Sequence, residues 1–95
     1  MTDPAILILA SLAESDKHGY AIMGDVARFA GVLIGPGTLY GAITRLEGRG
    51  WIRPVKAKDR RQPYTLTAAG RRNLSEQRDT LSRFVSASLD RREQA

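Results

Sequence analysis

The last third of the chain constrains the fold most strongly, because it combines a long helical pattern with very few apolar residues. Thr67 is a good helix N-cap, and the pattern that follows predicts one helix over residues 68–92. Its apolar residues recur mostly at intervals of seven, three and four positions, which makes a narrow seam like that of a coiled coil. A helix this polar cannot bury itself against one small domain. The sequence therefore predicts a homodimer, joined through Leu74, Leu81, Phe84, Val85 and Leu89.

The first two thirds of the chain contain three helical patterns followed by a β-hairpin. Asp3 and Pro4 suit the start of the first helix, and Gly31 suits the end of the second. Gly35 and Pro36 open the third. The predicted helices cover residues 4–13, 20–30 and 36–49, and the predicted strands cover 51–58 and 64–66. This order predicts a mainly α (α+β) fold: a winged helix-turn-helix DNA-binding domain in residues 1–66 and a long C-terminal dimerisation helix in residues 67–95.

The composition limits the classes of partner that the protein can be expected to bind, and it excludes several kinds of chemistry. The net charge of +5 and the excess of twelve arginines over three lysines indicate an anionic partner: DNA, RNA or an acidic membrane surface. The chain has no cysteine, and its one histidine lacks a carboxylate cluster, so no metal site or other cofactor is predicted. The apolar run at residues 5–10 is too short to cross a bilayer and follows no basic segment. We therefore expect a cytoplasmic protein without a membrane partner.

The third helix has the composition of a DNA recognition helix. Its outward face carries glycines, hydroxyl groups and one arginine, which suit close approach to a major groove and hydrogen bonding to phosphates or base edges. The alternative is an ordinary solvated face, although outward glycines weaken a helix that only meets water. The predicted DNA-binding residues of this helix are Thr38, Tyr40, Thr44 and Arg45.

The predicted hairpin ends in a basic tip. Arg60 and Arg61 lie in the turn between its strands, where they could contact the minor groove or the phosphate backbone. The alternative is a charged turn that protects the strand edges from aggregation. The basic balance of the chain favours DNA contact by at least one of the two arginines.

An ordered set of short motifs resembles the PadR family of bacterial regulators. The set consists of His18-Gly19-Tyr20 before the second helix, Gly37-Thr38-Leu39-Tyr40 in the third, and Tyr64-Thr65-Leu66-Thr67 with Gly70 after the hairpin. The chain is most similar to the smaller branch of that family, with a single C-terminal helix. The resemblance implies a winged helix, a dimer joined mainly through the last helix, and binding to an operator, usually as a repressor. The sequence departs from the family pattern at Gly35, Gly41 and Pro63.

The same resemblance suggests a small aromatic effector. Trp51 and Phe84 are the residues predicted to line a cavity for it between subunits, although packing in the core or wing is the simpler explanation of Trp51. Tyr20 is expected in the core, and His18 is expected to pack at a helix start.

Other functions are less consistent with the sequence. No nucleophile–base pair or paired carboxylates are evident, so no catalytic residue is predicted and the protein is not expected to be an enzyme. A basic RNA-binding protein is one alternative, but only Tyr64 offers an aromatic platform on a strand. A winged helix used only for protein association is another, and it would not need the basic hairpin.

Overall fold

The computed structural model describes the backbone of residues 3–94 and the side chains of residues 3–91. It shows the winged helix-turn-helix fold and the long last helix that the sequence predicts. The helices are α1 (Pro4–Glu14), α2 (Gly19–Ala30), α3 (Pro36–Gly48) and α4 (Ala68–Gln94), and the strands are β1 (Lys17–His18), β2 (Ile52–Pro54) and β3 (Pro63–Leu66).

The helix boundaries follow from local capping chemistry. Asp3 accepts a hydrogen bond from the Ala5 N–H at 2.9 Å through its Oδ1, and Pro4 occupies the first position of α1. His18 caps α2, since its Nδ1 lies 3.3 Å from the Ala21 backbone nitrogen. Gly31 then ends α2 with a φ of 67°, a left-handed conformation that glycine adopts without strain. These caps set the short turns that bring α2 and α3 together.

One hydrophobic core joins the three helices to the sheet. α1 is apolar on most sides and packs against α2, α3, β3 and the start of α4. α3 buries one stripe and leaves its opposite face exposed, which is the pattern of an amphipathic helix. The largest fully buried apolar side chains are Ile8, Leu9, Ile22, Val26, Leu39, Ile43, Leu46 and Ile52.

The sheet has three antiparallel strands in the order β1-β3-β2, one more than the sequence predicts. β1 pairs Lys17 with Tyr64 and His18 with Pro63. Two residues are too few to show the alternation that identifies a strand in sequence, so β1 was missed. β2 is shorter than predicted and ends at Pro54, although the Val55 N–H still donates to the Pro63 carbonyl at 3.1 Å. β1 anchors the start of α2 beside the hairpin of β2 and β3. We call this hairpin the wing (residues 52–66).

A buried polar network fixes β1 to the first two helices. The Ser11 hydroxyl donates to Asp25 Oδ2 at 2.7 Å. The Lys17 ammonium donates to the Ser11 carbonyl at 2.5 Å and lies 3.7 Å from Asp25 Oδ2. Glu14 adds an ion pair to Lys17 at 3.2 Å. Removing either Ser11 or Lys17 as a partner would leave the buried Asp25 carboxylate poorly compensated, so the network fixes the position of β1 relative to α1 and α2.

The start of α4 is attached to the core, whereas its distal half is not. Gly70 is buried against the Trp51 carbonyl, and Thr67 caps the helix by accepting from the Gly70 N–H at 3.0 Å. Leu74 is half-buried and packs against the core of its own chain, which corrects the expectation that it has no partner within the monomer. The core reaches Leu74 because α1 packs beside α4 there. The other seam residues are exposed: Leu81, Phe84, Val85 and Leu89.

Candidate nucleic-acid interface

The exposed surface of α3 carries the polar residues predicted to bind DNA. Thr44 lies opposite the buried stripe, and Thr38, Tyr40 and Arg45, which are also exposed, flank it. The Thr44 hydroxyl donates to the Tyr40 carbonyl at 3.0 Å. Its proton is therefore used within the helix, and its oxygen lone pairs remain to accept a hydrogen bond from a donor such as a base amino group.

The glycines of α3 leave this face smooth. A Cβ atom added to Gly37 would meet nothing within 4 Å, and one added to Gly41 would meet only the Arg45 guanidinium, at 3.8 Å. No internal packing therefore requires glycine at either position. An open helix face without side-chain bulk permits close approach of another molecule's backbone.

Tyr40 connects α3 to the first turn of α2. A Cβ atom on Gly19 would lie 2.7 Å from the Tyr40 Cζ and closer still to its hydroxyl oxygen, so the phenol ring covers Gly19 directly. Tyr40 is nevertheless 42% exposed, so part of its side chain remains accessible. This contact explains physically why a glycine follows His18 in a chain that carries Tyr40. The contact could not be predicted from the sequence, because Gly19 and Tyr40 are far apart in the chain.

The tip of the wing folds back toward α2. Arg60 and Arg61 are exposed, as predicted for a basic tip. Arg61 Nη2 donates to Asp59 Oδ2 at 3.1 Å, and its Nη1 lies 3.3 Å from His18 Nε2. The hydrogen bond from the Arg61 N–H, together with the nearby guanidinium, lowers the pKa of Asp59.

Tyr20 does not lie in the core, contrary to expectation. It is 67% exposed, whereas Ile22 and Val26 supply the buried apolar side chains of α2. Two residues along a helix correspond to a rotation of about 200°, so a residue two positions before Ile22 faces nearly the opposite way. Tyr20 is therefore an exposed aromatic residue in the first turn of α2. The helical periodicity of α2 was the signal in the sequence that could have predicted this exposure.

The two residues predicted to contact an effector are not brought together within one chain. Trp51 is half-buried against the core, and the Arg49 guanidinium lies 5.1 Å from its ring centroid, in cation–π range. Phe84 is 70% exposed. It lies sixteen residues beyond Ala68, which is about 24 Å along a helix.

Phe84 lines an open groove between the start of α1 and the middle of α4. The groove has a volume of about 620 Å³. Its apolar residues are Ile6, Leu81 and Phe84, and its polar residues include Asp3 and Asn73. The groove shares Leu81 and Phe84 with the exposed seam of α4, so the two features form one continuous surface.

The fold is that of winged-helix transcriptional regulators, a DNA-binding class. The chain belongs to the transcriptional regulator PadR-like family, whose model matches residues 8–76. The matched region contains α2, α3, the wing and the attached start of α4. The family resemblance stated from the motifs is thereby confirmed, and the chain is a member of a family of transcriptional regulators.

Two solved structures show how closely the fold agrees. A transcriptional regulator from Clostridium thermocellum superposes with a TM-score of 0.79 at 26% identity, covering 88% of this chain and 84% of that one. A PadR family transcription regulator from Clostridium difficile superposes with a TM-score of 0.77, also at 26% identity, covering 95% and 97% of the two chains. The second comparison includes nearly the full length of both proteins, so it extends over α4.

A curated relative is closer in sequence but much longer. It is an uncharacterized 37.1 kDa protein in transposon TN4556 of Streptomyces fradiae, and it is 41% identical over 82 residues. The match covers 86% of this chain and 24% of that protein, so this chain spans about a quarter of the length of its relative. Across residues 3–94, none of the helices is long and apolar enough to span a membrane.

Proposed function

We propose that this chain is a cytoplasmic, sequence-specific repressor that binds double-stranded DNA as a homodimer. One observation carries the proposal: the first turn of α2 contacts both α3, through Gly19 and Tyr40, and the wing, through His18 and Arg61. Tyr40 of the glycine-faced helix and Arg61 of the basic tip therefore lie beside the same short stretch of chain, residues 18 and 19. A helix that reads the major groove and a wing beside it need this arrangement to contact the same duplex.

The homodimer is supported by the difference in burial along α4. We assign residues 1–66 to DNA binding and residues 67–95 to association. The distal seam is apolar and exposed, and the groove beside it adds Ile6 to the same surface. A second copy of α4 would cover this seam by the knob-into-hole packing that such spacing favours.

A two-fold dimer predicts the form of the operator. Two copies of α3 related by a symmetry axis require an inverted repeat. The half-sites should lie on one face of the duplex, roughly 10 bp apart from centre to centre. In the same proposal, a small aromatic effector bound in a site between subunits would weaken DNA binding. The open groove at Phe84 supports the effector site, because a second subunit packed over the groove would enclose it.

The experiment compares wing and helix variants on operator DNA, on random duplex and with RNA competitor. Arg60→Ala combined with Arg61→Ala should weaken binding to all duplexes and lower the salt slope by about one unit for each phosphate that the wing no longer neutralises. Thr44→Ala or Arg45→Ala should cost about 1–3 kcal/mol on the operator and relax preference at one position in each half-site.

Arg78→Ala is the control, because it removes one exposed positive charge from α4. It should change binding less than either wing arginine. If the wing and helix variants leave all affinities unchanged, the interface lies elsewhere on the protein. If RNA competes as well as duplex DNA, the protein belongs instead to the RNA-binding class.

A further inference from the structure

A single carboxylate at the wing tip holds both the backbone and the side chain of one arginine. Asp59 Oδ1 accepts from the Arg61 N–H at 2.8 Å, which closes a local turn. Asp59 Oδ2 accepts from Arg61 Nη2 at 3.1 Å. The guanidinium is thereby directed across the wing toward His18, with Nη1 lying 3.3 Å from the ring Nε2.

The Asp59 carboxylate binds the Arg61 guanidinium more strongly than the His18 imidazole does. His18 Nδ1 already lies 3.3 Å from the Ala21 N–H that it caps. A neutral imidazole has only one acceptor nitrogen, so the contacts to Ala21 and to Arg61 cannot both be full hydrogen bonds in one tautomer. The Asp59 carboxylate accepts from Arg61 in either tautomer, and charge-assisted pairs are the stronger kind.

The neighbouring arginine is arranged differently. Among the described residues, no hydrogen bond or ion pair involves the Arg60 side chain, which is exposed at the tip. The two arginines are adjacent in sequence, yet one is oriented in advance and the other is not. An oriented side chain loses less conformational entropy on binding than one that must be ordered by its ligand.

We propose that Asp59 is a positioning residue for DNA binding, which holds Arg61 between the wing and the start of α2 so that its guanidinium meets a backbone phosphate. Arg61 keeps further N–H donors beyond the two that face Asp59 and His18. Arg60 then serves as the wing arginine that adapts to the groove. The inference rests on the proposed function, because it assigns separate tasks to two residues of the same DNA surface.

The test measures whether Asp59→Asn weakens or tightens binding to random duplex in three backgrounds: wild type, Arg61→Ala and Arg60→Ala. Asparagine keeps an Oδ1 that can close the turn but loses the charge that holds the guanidinium. Removing an acid from a DNA-binding surface ordinarily tightens binding. Here Asp59→Asn should weaken binding by about threefold to tenfold, because Arg61 must now be ordered by the DNA.

The sign should reverse when Arg61 is absent. In the Arg61→Ala background, Asp59→Asn should tighten binding, since only the loss of negative charge remains. In the Arg60→Ala background it should still weaken binding. Asp16→Asn is the matched control, because Asp16 is an exposed acid in the turn before β1, and it should not weaken binding in any background.

Each contrary result has a separate meaning. Tightening by Asp59→Asn in both the wild-type and Arg61→Ala backgrounds would show that Asp59 is only a repulsive charge, and would overturn the inference. Weakening in both would show that it shapes the loop independently of Arg61, which also overturns it. If the wild-type protein binds no duplex at all, the proposed function fails and the inference fails with it.

Discussion

The two ends of α4 are covalently continuous but differ in what surrounds them. Gly70 and Leu74 pack against the core formed by α1 and the wing, so the first turns of the helix belong to the folded unit. Every residue from Arg78 to Arg91 is exposed, including the apolar seam. The proximal end is stabilised within the chain, whereas the distal end leaves its apolar side chains in water.

This contrast shows how one helix can serve two purposes. Its proximal part must fit closely, because the Trp51 carbonyl and α1 already occupy the space around it. Its distal part needs only an apolar stripe that a partner can cover. Isolated polar helices are marginal in water, so in the proposed dimer the distal part would gain stability chiefly from association. The predictions below test the two parts separately.

The largest effect is expected at the distal seam. Leu81→Gln combined with Phe84→Gln should raise the dimer dissociation constant at least a hundredfold, about 2.7 kcal/mol, because buried apolar anchors dominate interface energies. Sedimentation equilibrium measures the change. Ser86→Gln, on an exposed position of the same helix, is the control and should leave the dissociation constant nearly unchanged. A stable wild-type monomer at micromolar concentration would contradict the proposed dimer.

A smaller but still severe effect is expected at the proximal end. A Cβ atom on Gly70 would lie 2.7 Å from Leu66 Cδ1 and 2.9 Å from the Trp51 carbonyl carbon, and nearer still to its oxygen. Backbone cannot move aside as a side-chain terminus can. Gly70→Ala should therefore lower the free energy of unfolding by about 1–3 kcal/mol, as overpacked cores do. Urea denaturation at a protein concentration well above the dimer dissociation constant measures it.

The comparison between the two variants is the informative result. Gly70→Ala should reduce stability without removing the seam, and the seam variant should dissociate the dimer without disturbing the core. If Gly70→Ala leaves the unfolding midpoint unchanged, the wing and α4 are less tightly joined than the contact distances indicate. This separation can be checked only if both properties are measured on both variants.

The sequence predicted the element order and most of the burial because those follow from periodicity and capping. The buried stripe of α3 and the exposed seam of α4 are examples. It did not predict β1, the contact of Tyr40 with Gly19, or the packing of Leu74, because each depends on residues distant in the chain. The exposure of Tyr20 was predictable from helical periodicity but was missed. The unequal surroundings of Arg60 and Arg61 depend on side-chain geometry at the tip, which spacing does not encode.

The smallest expected effect concerns the glycine face of α3, and it separates stability from binding. Gly41 lies in the interior of α3, and an added Cβ would meet only the flexible end of Arg45, at 3.8 Å. Gly41→Ala should therefore raise the free energy of unfolding by about 0.5–1 kcal/mol, because alanine loses less backbone freedom on folding.

Gly24→Ala is the matched control, since Gly24 lies inside α2 with only the Arg28 guanidinium nearby, at 3.4 Å. It should give a similar gain in stability and leave DNA affinity unchanged. Gly41→Ala should lower operator affinity, because its methyl group would stand where the duplex is proposed to approach the helix backbone. Chemical denaturation and a duplex-binding titration on both variants measure the two quantities. If Gly41→Ala stabilises the protein and binds the operator as well as wild type, the DNA does not approach α3 closely at this position, and the glycine there requires another explanation.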